Sequence, residues 1–214
     1  MPYLDLSHSI EMGMPVYPGT EPPEIREANT FESDGFREKR ISLHSHTGTH
    51  MDAPSHILPG AKSLDDLPVG AFTGGARLLD VRHLEGRRIT LPNLKDLLGS
   101  AGDLGETDFL LLRTGWDQYW GTEAYFSAYP TLDKDAAAWL ASHQLKGLGL
   151  DCISADVPSG NELPIHRILL TAGMLIIENL CHLDRVPSGS FEFFGFPLPI
   201  HDADGSPVRA VARV

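Results

Sequence analysis

Residues 164–180 read PIHRILLTAGMLIIENL, a stretch in which a helical pattern leads directly into a strand pattern. Pro164 can open a helix from about Ile165 to Ala172, because proline suits the first turn of a helix, and Gly173 can end it. The apolar run Met174–Ile177 then predicts a buried strand over Met174–Leu180. A helix followed at once by a buried strand is typical of a mixed α/β domain.

The same alternation continues on both sides of this stretch. Pro92 predicts the start of a helix through Leu98, with Gly99 just beyond it, and Thr131 is expected to cap another helix that runs to about His143. The other predicted strands are Tyr3–Leu6, Arg40–Ser45, Ala76–Val81, Asp108–Arg113, Gly147–Cys152, Phe191–Phe196 and Pro207–Val211. The predicted fold class is therefore α/β, with a mixed sheet and flanking helices.

Length and composition favour one folded domain over residues 1–214. Hydrophobic residues make up 42% of the 214 residues and charged residues 21%, which is ordinary globular usage. The net charge is −12 and no basic stretch stands out, so binding to a nucleic-acid backbone is disfavoured.

The chain shows neither a secretory leader nor an apolar run of about 18 residues, so we expect no membrane association and a cytoplasmic location. Cys152 and Cys181 are isolated and lack CxxC spacing, which argues against a disulfide framework or a cysteine zinc site. We expect both to be small buried residues.

Histidines are concentrated in residues 44–56, which read HSHTGTHMDAPSH. Ten histidines spread evenly over 214 residues would place about 0.6 in a window of this length, yet four lie here. The four histidines and Asp52 all occupy even positions, so an extended chain would direct them to one face. Gly48 and Pro54 are expected to bend the chain and bring these side chains together.

Imidazole nitrogen and carboxylate oxygen together suit Zn²⁺, Mn²⁺ or Fe²⁺, and the lack of thiolates excludes the usual closed structural zinc site. The window therefore predicts an open, catalytic metal site. The alternatives are a surface histidine patch or a strand whose polar groups are satisfied by hydrogen bonds.

Glu178 interrupts the apolar run of the strand predicted after Gly173. A carboxylate buried there needs a cation or strong hydrogen bonds. His166, in the first turn of the preceding helix, would by itself be interpreted as a solvated residue. Asp151 and Asp156 are interpreted as ordinary polar residues at a strand end; the alternative is that they hydrogen-bond behind the ligands. His44 is interpreted as a packing or hydrogen-bonding residue.

The segment His46–His56 is similar to the HxGTHxDxPxH signature of the metal-dependent cyclase family, which includes bacterial kynurenine formamidases and isatin hydrolases. Several fixed residue types at fixed spacing make this motif specific. The likeness extends over nearly the whole chain, through Asp5-Leu6-Ser7, Tyr17-Pro18-Gly19, Gly149-Leu150-Asp151 and Ser206-Pro207-Val208-Arg209-Ala210-Val211. It implies a swivelling β/β/α-like single domain.

The resemblance also implies the parts of a site. The implied metal ligands are His46, His50, Asp52, His166 and Glu178. Asp52 would bridge two divalent metals per subunit, either Zn²⁺ or Mn²⁺. His56 would be the general acid and base; the alternative is that it only hydrogen-bonds behind the ligands. Tyr17 would contact the substrate, at a position where kynurenine formamidases of the family typically carry Trp, and its ring can still stack on an aryl group.

These residues suit hydrolysis of an amide, because metals can supply hydroxide near neutral pH and an imidazole can return a proton to a leaving nitrogen. The expected substrate is a small-molecule amide, first of all an N-formyl arylamine such as N-formylkynurenine. The alternatives are an isatin-like cyclic amide or lactone, or a non-catalytic metal-binding scaffold. The resemblance further implies a homodimer or larger homo-oligomer.

Overall fold

The computed structural model describes residues 2–84, 86–99, 104–157 and 162–214. Its strands are β1 (Tyr3–Asp5), β2 (Glu24–Asn29), β3 (Glu38–Ser42), β4 (His50–Asp52), β5 (Thr73–Asp80), β6 (Arg88–Ile89), β7 (Phe109–Arg113), β8 (Thr131–Leu132), β9 (Gly147–Leu150), β10 (Leu175–Glu178), β11 (Ser190–Pro197) and β12 (Gly205–Arg213). Its α-helices are α1 (Phe31–Asp34), α2 (Leu91–Leu98), α3 (Lys134–Ala141) and α4 (Pro164–Thr171). The predicted α/β class with a mixed sheet is confirmed.

Within the described residues, eight strands form one sheet in the order β1-β12-β11-β5-β7-β9-β10-β4. Strands β5, β7, β9 and β10 run parallel, whereas β4, β11 and β12 pair in antiparallel fashion. The start of β12 also pairs with β4, so the sheet closes on itself like a barrel. This closure places β4 between β10 and β12.

The central strands are apolar on both faces because both faces are covered. In β7, Leu110 and Leu112 pack against the core under α2, α3 and α4, while Phe109 and Leu111 pack inside the closed sheet. Alternate side chains of a strand point to opposite faces, so one strand serves both cores.

The helices begin close to their predicted starts, with one correction. The hydroxyl of Thr90 accepts a hydrogen bond from Asn93 N at the start of α2, whose second residue is Pro92. The prediction that Thr131 caps α3 is wrong: Thr131 lies in β8, and Asp133 accepts the hydrogen bond from Ala136 N at 2.7 Å. A carboxylate in that position also interacts favourably with the positive end of the helix dipole.

No helix among the described residues is long and apolar enough to cross a membrane.

The β2–β3 hairpin departs from the strand predictions. Strands β2 and β3 form a separate, exposed hairpin, and β3 covers Glu38–Ser42 rather than Arg40–Ser45. With neither face buried, the sequence carries no clear alternation there. Residues 44–56 bend where expected: Gly48 has φ +67°, and Pro54 begins a single 3₁₀ turn through His56.

Candidate metal centre

Two strands, one helix and one loop bring the candidate ligands to a single cavity of about 400 Å³. His50 and Asp52 are two apart on β4, so their side chains share a face, and His50 lies opposite Glu178 of β10. The first turn of α4 contributes His166. His46 comes from the loop before β4. The predicted residues His46, His50, Asp52, His56, His166 and Glu178 all line this cavity.

The first group of candidate donors consists of His46, His50 and Asp52, whose ligand atoms all lie within 4.8 Å of one another. Asp52 Oδ1 is 2.7 Å from His46 Nδ1 and 3.3 Å from His50 Nε2. His50 and Asp52 are buried, and His46 is one-quarter exposed. One carboxylate oxygen therefore faces two imidazole nitrogens.

The second group consists of Asp52, His166 and Glu178, all buried and also mutually within 4.8 Å. His166 Nε2 is 3.2 Å from Glu178 Oε1 and 3.5 Å from Asp52 Oδ2. The two groups share Asp52, which directs one oxygen to each.

The donor set fits divalent cations. Asp52 Oδ2 is buried and has no hydrogen-bond partner among the described residues, which is costly for a carboxylate in the protein interior. Burial of the His46 ring disfavours its charged form, but the Asp52 and Asp204 carboxylates outweigh burial and raise the pKa of His46 to about 10. The buried carboxylates are therefore stabilised by nearby positive charge. Metals that bind imidazole and carboxylate, such as Zn²⁺ and Mn²⁺, would supply it.

Hydrogen bonds behind the candidate ligands fix how two of the rings face the cavity. His50 Nδ1 lies 2.8 Å from Gly48 O, a carbonyl that also accepts from Asn179 Nδ2 at 2.8 Å. Because a carbonyl only accepts, His50 Nδ1 carries the hydrogen and Nε2 keeps its lone pair for the cavity.

His166 is oriented in the same way by Asp156, whose Oδ2 lies 2.7 Å from His166 Nδ1. The interpretation of Asp156 as an ordinary strand-end residue is therefore wrong, because this carboxylate also accepts hydrogen bonds from Ile165 N and His166 N at the start of α4. Asp151, in contrast, lies away from the cavity, where Thr114 and Gly115 donate backbone hydrogen bonds to it.

His56 lies at the edge of the donor groups. Its ring centroid is 4.0 Å from that of His46 and 6.1 Å from that of His166. Partial burial lowers the pKa of His56, although the Asp52 carboxylate acts in the opposite direction. His56 therefore sits next to the donors with its ring one-quarter exposed to the cavity.

Asp204 is a residue of this site that sequence reasoning missed. Its Oδ2 lies 3.0 Å from His46 Nε2 and 3.3 Å from His56 Nδ1. The hydrogen bond from His46 is the main cause that holds the pKa of Asp204 well below its usual range. Asp204 lies 148 positions after His56, and no local pattern links the two.

Tyr17 lies on the wall of the cavity, 42% exposed, next to the side chains of Pro15, Val16 and Thr20. His44 is exposed and does not line the cavity. Cys152 and Cys181 are free and buried, which confirms that prediction.

The chain is similar to known proteins over most of its length. A family model described as putative cyclase matches residues 4–157. The chain is 34% identical over 215 residues to a kynurenine formamidase of Geobacillus thermodenitrificans, covering 99% of this chain and 97% of that protein.

Solved structures are similar as well. An isatin hydrolase bound to the product analogue thioisatinate matches with a TM-score of 0.89 at 27% identity, covering 99% of this chain and 92% of that one. A potential metal-dependent hydrolase with cyclase activity matches with a TM-score of 0.76 at 29% identity, covering 99% and 96%.

Proposed function

The chain belongs to the putative cyclase family, and from this premise we propose that it is a metal-dependent amide hydrolase that splits an N-formyl arylamine, such as N-formylkynurenine, into formate and the free arylamine. Its relatives indicate a hydrolase of carbon–nitrogen bonds other than peptide bonds. The observation that carries the proposal is the pair of donor groups sharing Asp52, with the imidazole of His56 beside them and outside both groups.

In the proposed site, two divalent cations, Zn²⁺ or Mn²⁺, are held by the two donor groups. His46, His50 and Asp52 form one set, and Asp52, His166 and Glu178 form the other. Bound cations of this kind supply hydroxide from water near neutral pH and polarise the carbonyl under attack.

The chain's own residues carry out the remaining tasks. His56 takes up a proton as water attacks the formyl carbon and returns it to the nitrogen of the departing arylamine, as the C–N bond breaks. The Tyr17 ring stacks on the aryl group of the substrate at the cavity wall.

A second candidate substrate is a neutral cyclic amide of the isatin type. None of the described residues that line the cavity is Lys or Arg, so these residues offer no guanidinium or ammonium group to a carboxylate on the substrate. A neutral cyclic amide of this type needs no such partner, so the lining is compatible with it. The same donor groups and His56 would serve its ring opening.

A panel assay on protein loaded with Zn²⁺ or Mn²⁺ tests the proposal. We expect turnover of formanilide or N-formylkynurenine, and the ratio of their kcat/KM values to that for isatin decides between the two candidates. The matched control is His56→Ala, which should retain its metal while kcat falls by roughly 10²- to 10⁴-fold. No turnover of any of these amides by the metal-loaded protein would leave the non-catalytic scaffold as the better interpretation.

The assembly proposed is a homodimer or larger homo-oligomer. The β2–β3 hairpin stands apart from the main sheet and carries exposed Ile41, with exposed Phe31 and Phe36 in the connection between its strands. Exposed apolar groups on a hairpin of this kind are typical of subunit contacts. Sedimentation equilibrium tests this, with Ile41→Asp as the variant expected to weaken association.

A cytoplasmic location stays a prediction that cell fractionation tests.

A further inference from the structure

We propose that Asp204 is a positioning residue that holds His56 in the tautomer and orientation needed for proton transfer, and that it does so through Oδ2. The inference rests on the proposed function, because it concerns the same proton transfer. It adds to that function a carboxylate that no part of the HxGTHxDxPxH motif contains.

The hydrogen-bond geometry around His56 carries the inference. Asp204 Oδ2 lies 3.3 Å from His56 Nδ1. An ionised carboxylate only accepts hydrogen bonds, so Nδ1 must carry the hydrogen and Nε2 is left with the free lone pair. A carboxylate that fixes the tautomer of a catalytic imidazole is a general device for making the second nitrogen the working base.

The same oxygen also lies 3.0 Å from His46 Nε2, while His46 Nδ1 faces Asp52 Oδ1 at 2.7 Å. His46 therefore directs one nitrogen to the candidate donor group and donates from the other to Asp204. Through one oxygen, Asp204 joins a candidate ligand to the candidate acid and base, whose ring centroids are 4.0 Å apart.

The backbone fixes Asp204 relative to His56. Ala53 N donates to Asp204 O at 2.9 Å, and His56 N donates to Ala53 O at 3.0 Å. Asp204 also immediately precedes β12, whose first residue, Gly205, pairs with Asp52 of β4. The carboxylate is therefore anchored to the turn that carries His56 and to the strand that carries Asp52.

A double-mutant cycle at saturating metal tests whether Asp204 acts through His56. We expect Asp204→Asn to retain metal and to lower kcat about 10- to 100-fold, the usual effect of losing a residue that orients an active group, with a much smaller change in KM. In a His56→Ala background the same substitution should change kcat by less than about twofold. Asp202→Asn is the matched control, since it removes an exposed carboxylate two residues away, and it should keep wild-type kcat.

Three outcomes of the cycle would overturn the inference: an equal loss in both backgrounds, no loss in the wild-type background, or depletion of metal in Asp204→Asn. The last would make Asp204 a ligand, because His46, His56 and Asp204 also lie close enough to hold a cation together.

Long-range ¹H–¹⁵N spectra of the zinc-loaded protein provide a readout independent of turnover. Above the ordinary imidazole pKa of about 6.5, the His56 resonance should show the Nδ1–H tautomer in wild type and in Asp202→Asn, and should lose it in Asp204→Asn. An unchanged tautomer in Asp204→Asn refutes the inference. If wild type hydrolyses no amide of the panel, the proposed function fails, and these spectra still decide whether Asp204 fixes His56.

Discussion

Asp52 is the residue on which both donor groups depend. It is 1% exposed, with Oδ1 facing His46 and His50 and with Oδ2 lacking a hydrogen-bond partner among the described residues. Burial by itself raises the pKa of Asp52, yet the positive charge that His46 can carry lowers it well below the ordinary value. The site is therefore built to stabilise an ionised carboxylate next to cations.

The sharing of Asp52 predicts different metal losses in two variants. His50→Ala should lose most of one metal equivalent, because only one donor group contains His50. Asp52→Ala should lose most of both. Elemental analysis of the purified variants, with His44→Ala as an exposed-histidine control, measures the stoichiometry. Full metal retention in Asp52→Ala would refute the bridging role.

At the scale of elements, the site depends on how closely β12 approaches the loop that carries His46. A side chain on Gly205 would place its Cβ 2.5 Å from His46 Cε1, a distance that no relaxed structure tolerates. Glycine at the start of β12 is thus required for His46 to lie between Asp52 and Asp204.

Gly205→Ala should therefore displace His46 and weaken metal binding about 10-fold or more. The free energy of unfolding should change little, because the new Cβ contacts a partly exposed side chain, so the main effect should be on the metal affinity. A metal-competition titration gives the affinity. Gly70→Ala is the matched control, since a Cβ there meets nothing within 4 Å. Equal affinities in the two variants would contradict the prediction.

At the scale of the whole molecule, the candidate ligands link elements that are distant in the chain. Strand β4 is bonded to β10 on one side and β12 on the other, and α4 packs on β10. Cations held among these elements would stabilise only the folded chain, because the ligands are dispersed in the unfolded chain.

Removal of metal should therefore lower the melting temperature. Free metal at 100 times Kd adds about 2.7 kcal/mol to the free energy of unfolding, which corresponds to roughly 5–10 °C for a domain of this size. Thermal melts with and without chelator measure the difference, and Asp52→Ala should show almost none. Superimposable wild-type melts, with metal loss verified, would show that the site is uncoupled from folding.

The stability of the fold should also depend on pH through His8. Its ring stacks on Trp120 at 3.7 Å, and burial, with His182 as a second cause, lowers the pKa of His8 to about 4. Between pH 4 and the ordinary pKa of about 6.5, the unfolded chain binds a proton that the folded chain does not, so stability falls as the pH falls through this window.

His8→Phe keeps an aromatic ring but cannot titrate, so it should lose less stability than wild type between pH 6.5 and 4. The difference should be about 1–3 kcal/mol, allowing for partial exposure of the ring. Urea unfolding in chelator measures it without contributions from bound metal, and His44→Phe serves as the exposed control. Parallel pH profiles for wild type and His8→Phe would show that His8 has no such role.

The amino-acid sequence by itself determined the α/β class and marked residues 44–56 as a donor-rich segment. Buried strands such as β7 and β10 carry apolar runs, and Gly48 and Pro54 mark the bends around His50 and Asp52. These features were predictable because a strand, a turn or a donor-rich loop depends mainly on residues close together in the chain.

Only the tertiary structure revealed the groups that orient those donors. Asp204 meets His56 across 148 positions, and Asn179 meets Gly48 across 131. Both contacts exist because the sheet closes through β4, which sets β10 and β12 on either side of it. Hydrogen bonds between distant segments depend on that closure and leave no pattern in the local sequence, whereas the apolar periodicity of a strand does.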